Sequence, residues 1–177
     1  MFDLKEKAIG AIQRDRLAEF LKIAHSQDSG CFYFALLMTW NHLFPKKILN
    51  QRFIDDVIKN DPRLTVSPRD IIPKINLWEK YLNLQVARIG LTEYLDESIT
   101  DFKENAKIPA GVEITKERYP VTWSDSSPTL ILWMGVCCLH YTSSYQNYRF
   151  SPEETAPYHP DYNPVVLFHL KPTIPIR

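Results

Sequence analysis

The order of its hydrophobic patterns predicts that this chain folds as an α+β domain. Helix-period segments occupy the first half, strand-like runs the second, and composition shifts between them. From Pro120 onward the chain holds eight of its thirteen prolines but only seven charged residues, three basic and four acidic. That is the character of short strands separated by turns. The helical part is expected over about 1–83, a sheet-rich part over 84–171 and an extended tail over 172–177, all within one domain spanning 1–177.

Each element follows from local pattern. Leu4, Ala8, Ile9, Ile12, Leu17, Phe20, Leu21 and Ala24 recur at helical spacing, with Gly10 weakening the helix. A second helix is expected from Cys31 to Phe44, stopped by Pro45. Being apolar nearly all round, it should be central and buried. A third covers Ile48 to Lys59, with Leu49, Phe53, Ile54, Val57 and Ile58 on one face. A fourth opens with Ser67 as N-cap and Pro68 at its first position, although Pro73 one turn later should kink it or delay its start. Leu84 to Ile89 reads as a strand and Thr92 to Asn105 as a further helix. Thr129–Met134, Val136–Tyr145 and Val165–Leu170 read as strands of a mainly antiparallel sheet, and Ser151–Asn163 as a long loop.

Composition removes several function classes. With 177 residues, 45% hydrophobic and 24% charged, the chain can bury a substantial core. Lys plus Arg equals Asp plus Glu at 21 each, so no basic excess points to nucleic acid or a membrane surface. No apolar run reaches the ~20 residues that span a bilayer. Three cysteines, two of them the adjacent Cys137 and Cys138, do not make a disulfide framework, and the cytoplasm is the expected setting. The spacing of Cys137, Cys138 and His140 is not that of a structural zinc site, and the five glycines form no phosphate loop, so no metal or cofactor is expected.

The chemistry concentrates at Gln27-Asp28-Ser29-Gly30-Cys31. Asp28 or Ser29 can cap the following helix, which puts Cys31 in its first turn, where unpaired N–H groups and the dipole favour a thiolate. Gly30 allows a sharp turn before it. The Cys31 backbone N–H and the Gln27 side chain are candidate oxyanion donors. Of five histidines, His140 in Leu139-His140-Tyr141-Thr142 is the first choice as base and His169 the second. His42 sits at the far end of the cysteine helix, out of reach. Asn147 or Asp161 is the candidate for orienting the imidazole. The aromatic residues Tyr141, Tyr145, Tyr148, Phe150, Tyr158 and Tyr162 are read as sheet packing or as a wall beside His140.

The stretch DSGCFYFALLMTWNHL resembles the nucleophile helix of papain-like cysteine peptidases, in particular the branch that processes bacteriocin leaders. SPTLILWMG followed by CLHYTSSYQN resembles that family's apolar strand and base-histidine strand. The resemblance covers about 35 residues in two segments. It implies a papain-like fold, in which a buried nucleophile helix packs on a C-terminal sheet, and a cysteine-dependent hydrolase acting on a peptide or protein substrate. Cys31 is then the nucleophile, His140 the base, Gln27 the oxyanion donor, and Asn147 or Asp161 the orienting group. Gln27 stands four residues before Cys31, where the family places it five or six before, and Phe32 stands where many members have glycine. Those departures favour the alternative, an inactive domain of the same fold serving in binding or assembly. The whole sequence also resembles a family of proteins encoded on spirochaete plasmids of prophage type, a likeness that supplies no function.

Overall fold

The computed structural model describes residues 30–44, 46–47, 49–118, 128–135, 139–144 and 162–175. The helix expected over Leu4–Ala24 and positions 151–161 of the expected loop lie outside them. Among the described residues the fold is α+β, with four α-helices and one five-stranded mixed sheet.

The first described helix, α1 (Cys31–Leu43), is the central one. Phe32 to Trp40 are all buried, because α1 is covered on every side rather than on one stripe. Thr39 in that run is satisfied twice: its hydroxyl donates to the Ala35 carbonyl at 3.0 Å and lies 2.7 Å from the Ser143 hydroxyl. Helix α2 (Gln51–Asn60) starts at Asn50, whose side chain accepts the Arg52 N–H at 2.9 Å. It buries only Phe53, Ile54 and Val57, the narrow stripe of a surface helix. Pro68–Asp70 forms a 3₁₀ turn, and α3 (Ile71–Leu82) follows. Pro73 does delay the helix as expected. It falls third in α3, where its missing N–H has no helical partner to lose. Ser67 supplies no side-chain cap.

Strand β1 (Leu84–Leu91) leads to a short helix α4 (Ile99–Asn105), capped by the Ser98 hydroxyl on the Asp101 N–H at 3.0 Å. The helix expected from Thr92 is thus half as long. The reason is local, since the Thr92 hydroxyl bonds the Pro164 carbonyl and accepts the Tyr94 N–H, which fixes a turn instead. Strand β2 (Glu113–Lys116) has no counterpart among the expected strands. It is followed by β3 (Thr129–Met134), β4 (Leu139–Ser143) and β5 (Asn163–Pro172).

The sheet runs β2-β1-β5-β3-β4. Its β1–β2 pair is parallel, and the β1–β5, β3–β5 and β3–β4 pairs are antiparallel. The last strand is therefore the middle one. Its Val165-Val166-Leu167-Phe168 run is buried at every position, as a strand covered on both faces requires. One face carries Leu130, Leu132, Tyr141, Val166 and Phe168 into the main core under the helices. The other carries a small cluster of Ile131, Trp133 and Leu167, with Tyr162 packed against it.

On that second face a polar array crosses four strands. Glu117, just past β2, holds Arg88 Nε of β1 at 2.9 Å and His169 Nε2 of β5 at 2.6 Å, while His169 Nδ1 lies 3.3 Å from the Thr129 hydroxyl of β3. Gly90 makes room for it, because a Cβ there would stand 2.0 Å from Glu117 Oε2. Gly90→Ala should therefore expel the carboxylate from this array and cost about 1–3 kcal/mol, checked by urea denaturation.

Candidate active site around Cys31

Helix α1 begins at Gly30, not at Asp28 or Ser29, which lie outside the described residues. Among the described residues no side chain caps the helix. Gly30 has φ −82° and ψ −1°, angles open to any residue, so its glycine is not required by backbone conformation. Cys31 occupies the first position of the helix and is half-buried.

What faces Cys31 among the described residues is strand β4, the last in the sheet order. The Ser144 N–H donates to the Thr129 carbonyl at 2.8 Å, so in the antiparallel alternation the amides of Thr142 and His140 point toward β3, and those of Ser143 and Tyr141 point outward. The outward amide of Tyr141 meets the Cys31 sulfur. Tyr141 also sends its ring to the helix side, edge-on against Phe32 with centroids 5.6 Å apart, and its hydroxyl donates to the Val66 carbonyl at 3.4 Å. Phe32 is fully buried, its ring packed between those of Tyr33 and Tyr141.

Burial pushes the Cys31 thiol above its ordinary value, and the backbone amides of Tyr141, Phe32 and Cys31 itself pull in the other direction without overcoming it. This corrects the expectation that the helix start alone makes a thiolate. At neutral pH the resting group is a thiol, and a base must take its proton.

His140 immediately precedes Tyr141 and is half-buried. Side chains alternate along a strand, so His140 shares a face with Thr142 and with Trp133, its cross-strand partner. The Trp133 indole N–H donating to the Thr142 hydroxyl at 2.8 Å confirms that face. The structure thus brings the two backbones together at the edge of β4. It leaves the imidazole on the far face, and the groups acting on the sulfur are amides. His169, the second choice, stands in β5 within the Glu117 array, two strands from β4. His42 is exposed near the far end of α1. Gln27, Asn147 and Asp161 lie outside the described residues. Tyr141 and Tyr162 fall on opposite sheet faces, so they do not form one wall beside His140.

The loop between α2 and the 3₁₀ turn flanks this region. Leu64, with φ 56°, sits in the left-handed region disfavoured for a bulky residue, and its buried side chain holds it there. Beyond Val66, a groove of about 380 Å³ opens between Pro68 and Arg69 on one side and Phe102 and Ala106 on the other. Among the described residues no group of three or more His, Cys, Asp or Glu side chains could hold a metal ion, and no helix is long and apolar enough to cross a membrane.

Three buried groups make stability depend on alkaline pH. Cys31, Tyr33 and Tyr141 are all held protonated by burial in the fold. Above pH 9.0, and further above 10.0, the unfolded chain releases these protons while the folded chain keeps them, so stability must fall as pH rises. Each group contributes a slope approaching ~1.4 kcal/mol per pH unit. The urea midpoint, followed from neutral to alkaline pH, should drop from about pH 9 onward.

No protein-family model, curated protein or solved structure matches this chain.

Proposed function

We propose that this chain is a cysteine-dependent hydrolase of amide bonds with a papain-like arrangement, acting on a peptide or protein substrate in the cytoplasm. The observation that carries this reading is the packing of Tyr141 of β4 on the first turn of α1, its ring edge-on against Phe32 at 5.6 Å and its amide acting on the Cys31 sulfur. It sets the start of the histidine strand against the first turn of a buried helix. Among the described residues β4 is the last strand in the sheet order, and Cys31 faces its outer edge. His140 lies on the opposite face of that strand, so as base its imidazole must reach the thiol around the edge.

In the reaction His140 takes the thiol proton as the sulfur attacks the amide carbonyl carbon. The Tyr141 amide, already on the sulfur, stabilises the charge as the proton leaves. The Cys31 backbone N–H at the helix start supports the developing oxyanion, with Gln27 as a second donor. The tetrahedral intermediate collapses to a thioester, and the leaving amine takes the proton from the imidazolium. Water activated by His140 then cleaves the thioester and restores the thiol. Asn147 or Asp161 would orient the ring.

Two observations favour a second reading, an inactive domain that binds or assembles: burial keeps the thiol neutral, and strand alternation puts His140 on the opposite face. Incubation with a mixed peptide library, read by mass spectrometry, separates the two. Cleavage by the wild type that is absent in Cys31→Ala supports the hydrolase. Unchanged peptides with intact protein leave the binding reading.

A further inference from the structure

We propose that Tyr33 and Asp61 are positioning residues for Cys31, their hydrogen bond fixing the rotation of α1 that presents the sulfur to the Tyr141 amide. This rests on the reading of Cys31 as the nucleophile.

The start of α1 is where such a device is needed. Gly30, the N-cap residue, has no side chain with which to hold the first turn, so among the described residues the turn is fixed by what its own side chains meet. Successive residues of a helix point about 100° apart, so Cys31 and Tyr33 project to nearly opposite sides. Cys31 looks toward the edge of β4, and Tyr33 looks toward α2 and α3. Rotation of the first turn would move both at once.

The Tyr33 hydroxyl is held by two partners. The residue is fully buried, and its hydroxyl donates to Asp61 Oδ2 while accepting the Trp78 indole N–H at 3.1 Å. The other carboxylate oxygen of Asp61 takes the Lys74 ammonium at 2.7 Å. Asp61 itself is fixed by its backbone at the end of α2, its N–H bonding the Val57 carbonyl at 2.7 Å and its carbonyl the Leu64 N–H at 2.8 Å. One carboxylate thereby gathers α1, α2 and α3 at the level of the nucleophile's turn. Between Cys31 and Tyr33, the Phe32 ring meets Tyr33 edge-on at 5.2 Å and Tyr141 at 5.6 Å, which links the polar anchor to the strand that touches the sulfur.

Two features argue for positioning beyond ordinary packing. The anchor is built from directional hydrogen bonds in a helix otherwise surrounded by apolar side chains, and such bonds fix an angle where dispersion contacts do not. A second polar pin, Thr39 to Ser143 at 2.7 Å, ties the same helix to β4 two turns further on. It fixes the body of α1 but lies about 12 Å from Cys31 along the axis, too far to set the first turn. It therefore serves as an internal control.

The test is the pH profile of Cys31 labelling by iodoacetamide, read by mass spectrometry on folded protein. Losing the sulfur's amide contact should move the midpoint of the profile upward. In Tyr33→Phe, labelling at neutral pH should fall about three- to tenfold. Asp61→Ala should behave the same way, and Asp61→Asn, which keeps an acceptor for the phenol, should stay close to wild type. Thr39→Val should lower stability and leave the midpoint in place. An unchanged midpoint in both Tyr33→Phe and Asp61→Ala overturns the proposal, as does an equal shift in Thr39→Val. If Tyr33→Phe does not fold, Asp61→Ala against Asp61→Asn decides alone. His140→Ala reports separately on the base. A labelling rate indifferent to His140 removes the hydrolase reading even if the Tyr33 shift is found.

Discussion

Replacing Trp78 by alanine is expected to lower stability by about 3–5 kcal/mol, a large share of the ~5–15 kcal/mol that holds a typical domain together. Trp78 is 1% exposed and packs edge-on against Phe53 with centroids 5.5 Å apart and beside Tyr81 at 6.3 Å. The substitution leaves a cavity where α2 and α3 meet, and it removes the indole N–H that the Tyr33 hydroxyl accepts. Trp78→Phe keeps most of the volume and loses that bond, so its cost should be about 1–3 kcal/mol. Urea denaturation of both variants measures the difference. Similar losses in the two would mean that the hydrogen bond, not the packed volume, carries the effect.

His140→Ala is expected to have the largest effect on activity. A positioned general base contributes about 10²–10⁴-fold to rate, and burial makes one more necessary here by favouring the neutral thiol. Peptide turnover should fall by that factor. The stability change should remain small, since His140 is only half-buried. Comparing turnover with the urea midpoint separates loss of the base from loss of the fold.

Much of the fold was legible because it is written in short-range patterns. The all-round apolar stretch after Cys31 identified the central helix. The unbroken apolar run Val165–Phe168 is the mark of the middle strand, although the order of the sheet rests on long-range pairing that no local pattern encodes. Strand β2 escaped notice for the same reason. Glu-Ile-Thr-Lys becomes a strand only because β1 lies parallel beside it, in register from Arg88 opposite Glu113 to Leu91 opposite Lys116.

The candidate site was legible in its parts and not in their orientation. A cysteine opening a buried helix and a histidine opening a strand can be read from spacing. Which face of that strand packs on the helix cannot, because a shift of one residue exchanges the faces. Here Tyr141 took the helix side, so what β4 offers the sulfur is a backbone amide that no residue type announces. The Tyr33 anchor had one faint signal, a phenol in the first turn of an apolar helix that must find a partner when buried. Its partner Asp61 stands 28 residues away.

The most direct test is the rate at which iodoacetamide labels Cys31 at pH 6, in the wild type and in His140→Ala. Burial alone would leave this thiol slower than a free one at that pH, so fast labelling requires an imidazole that takes its proton. A working pair should give selective labelling of Cys31 in the wild type that falls at least about tenfold in His140→Ala. Slow labelling of equal rate in both proteins would contradict the Cys31–His140 pair.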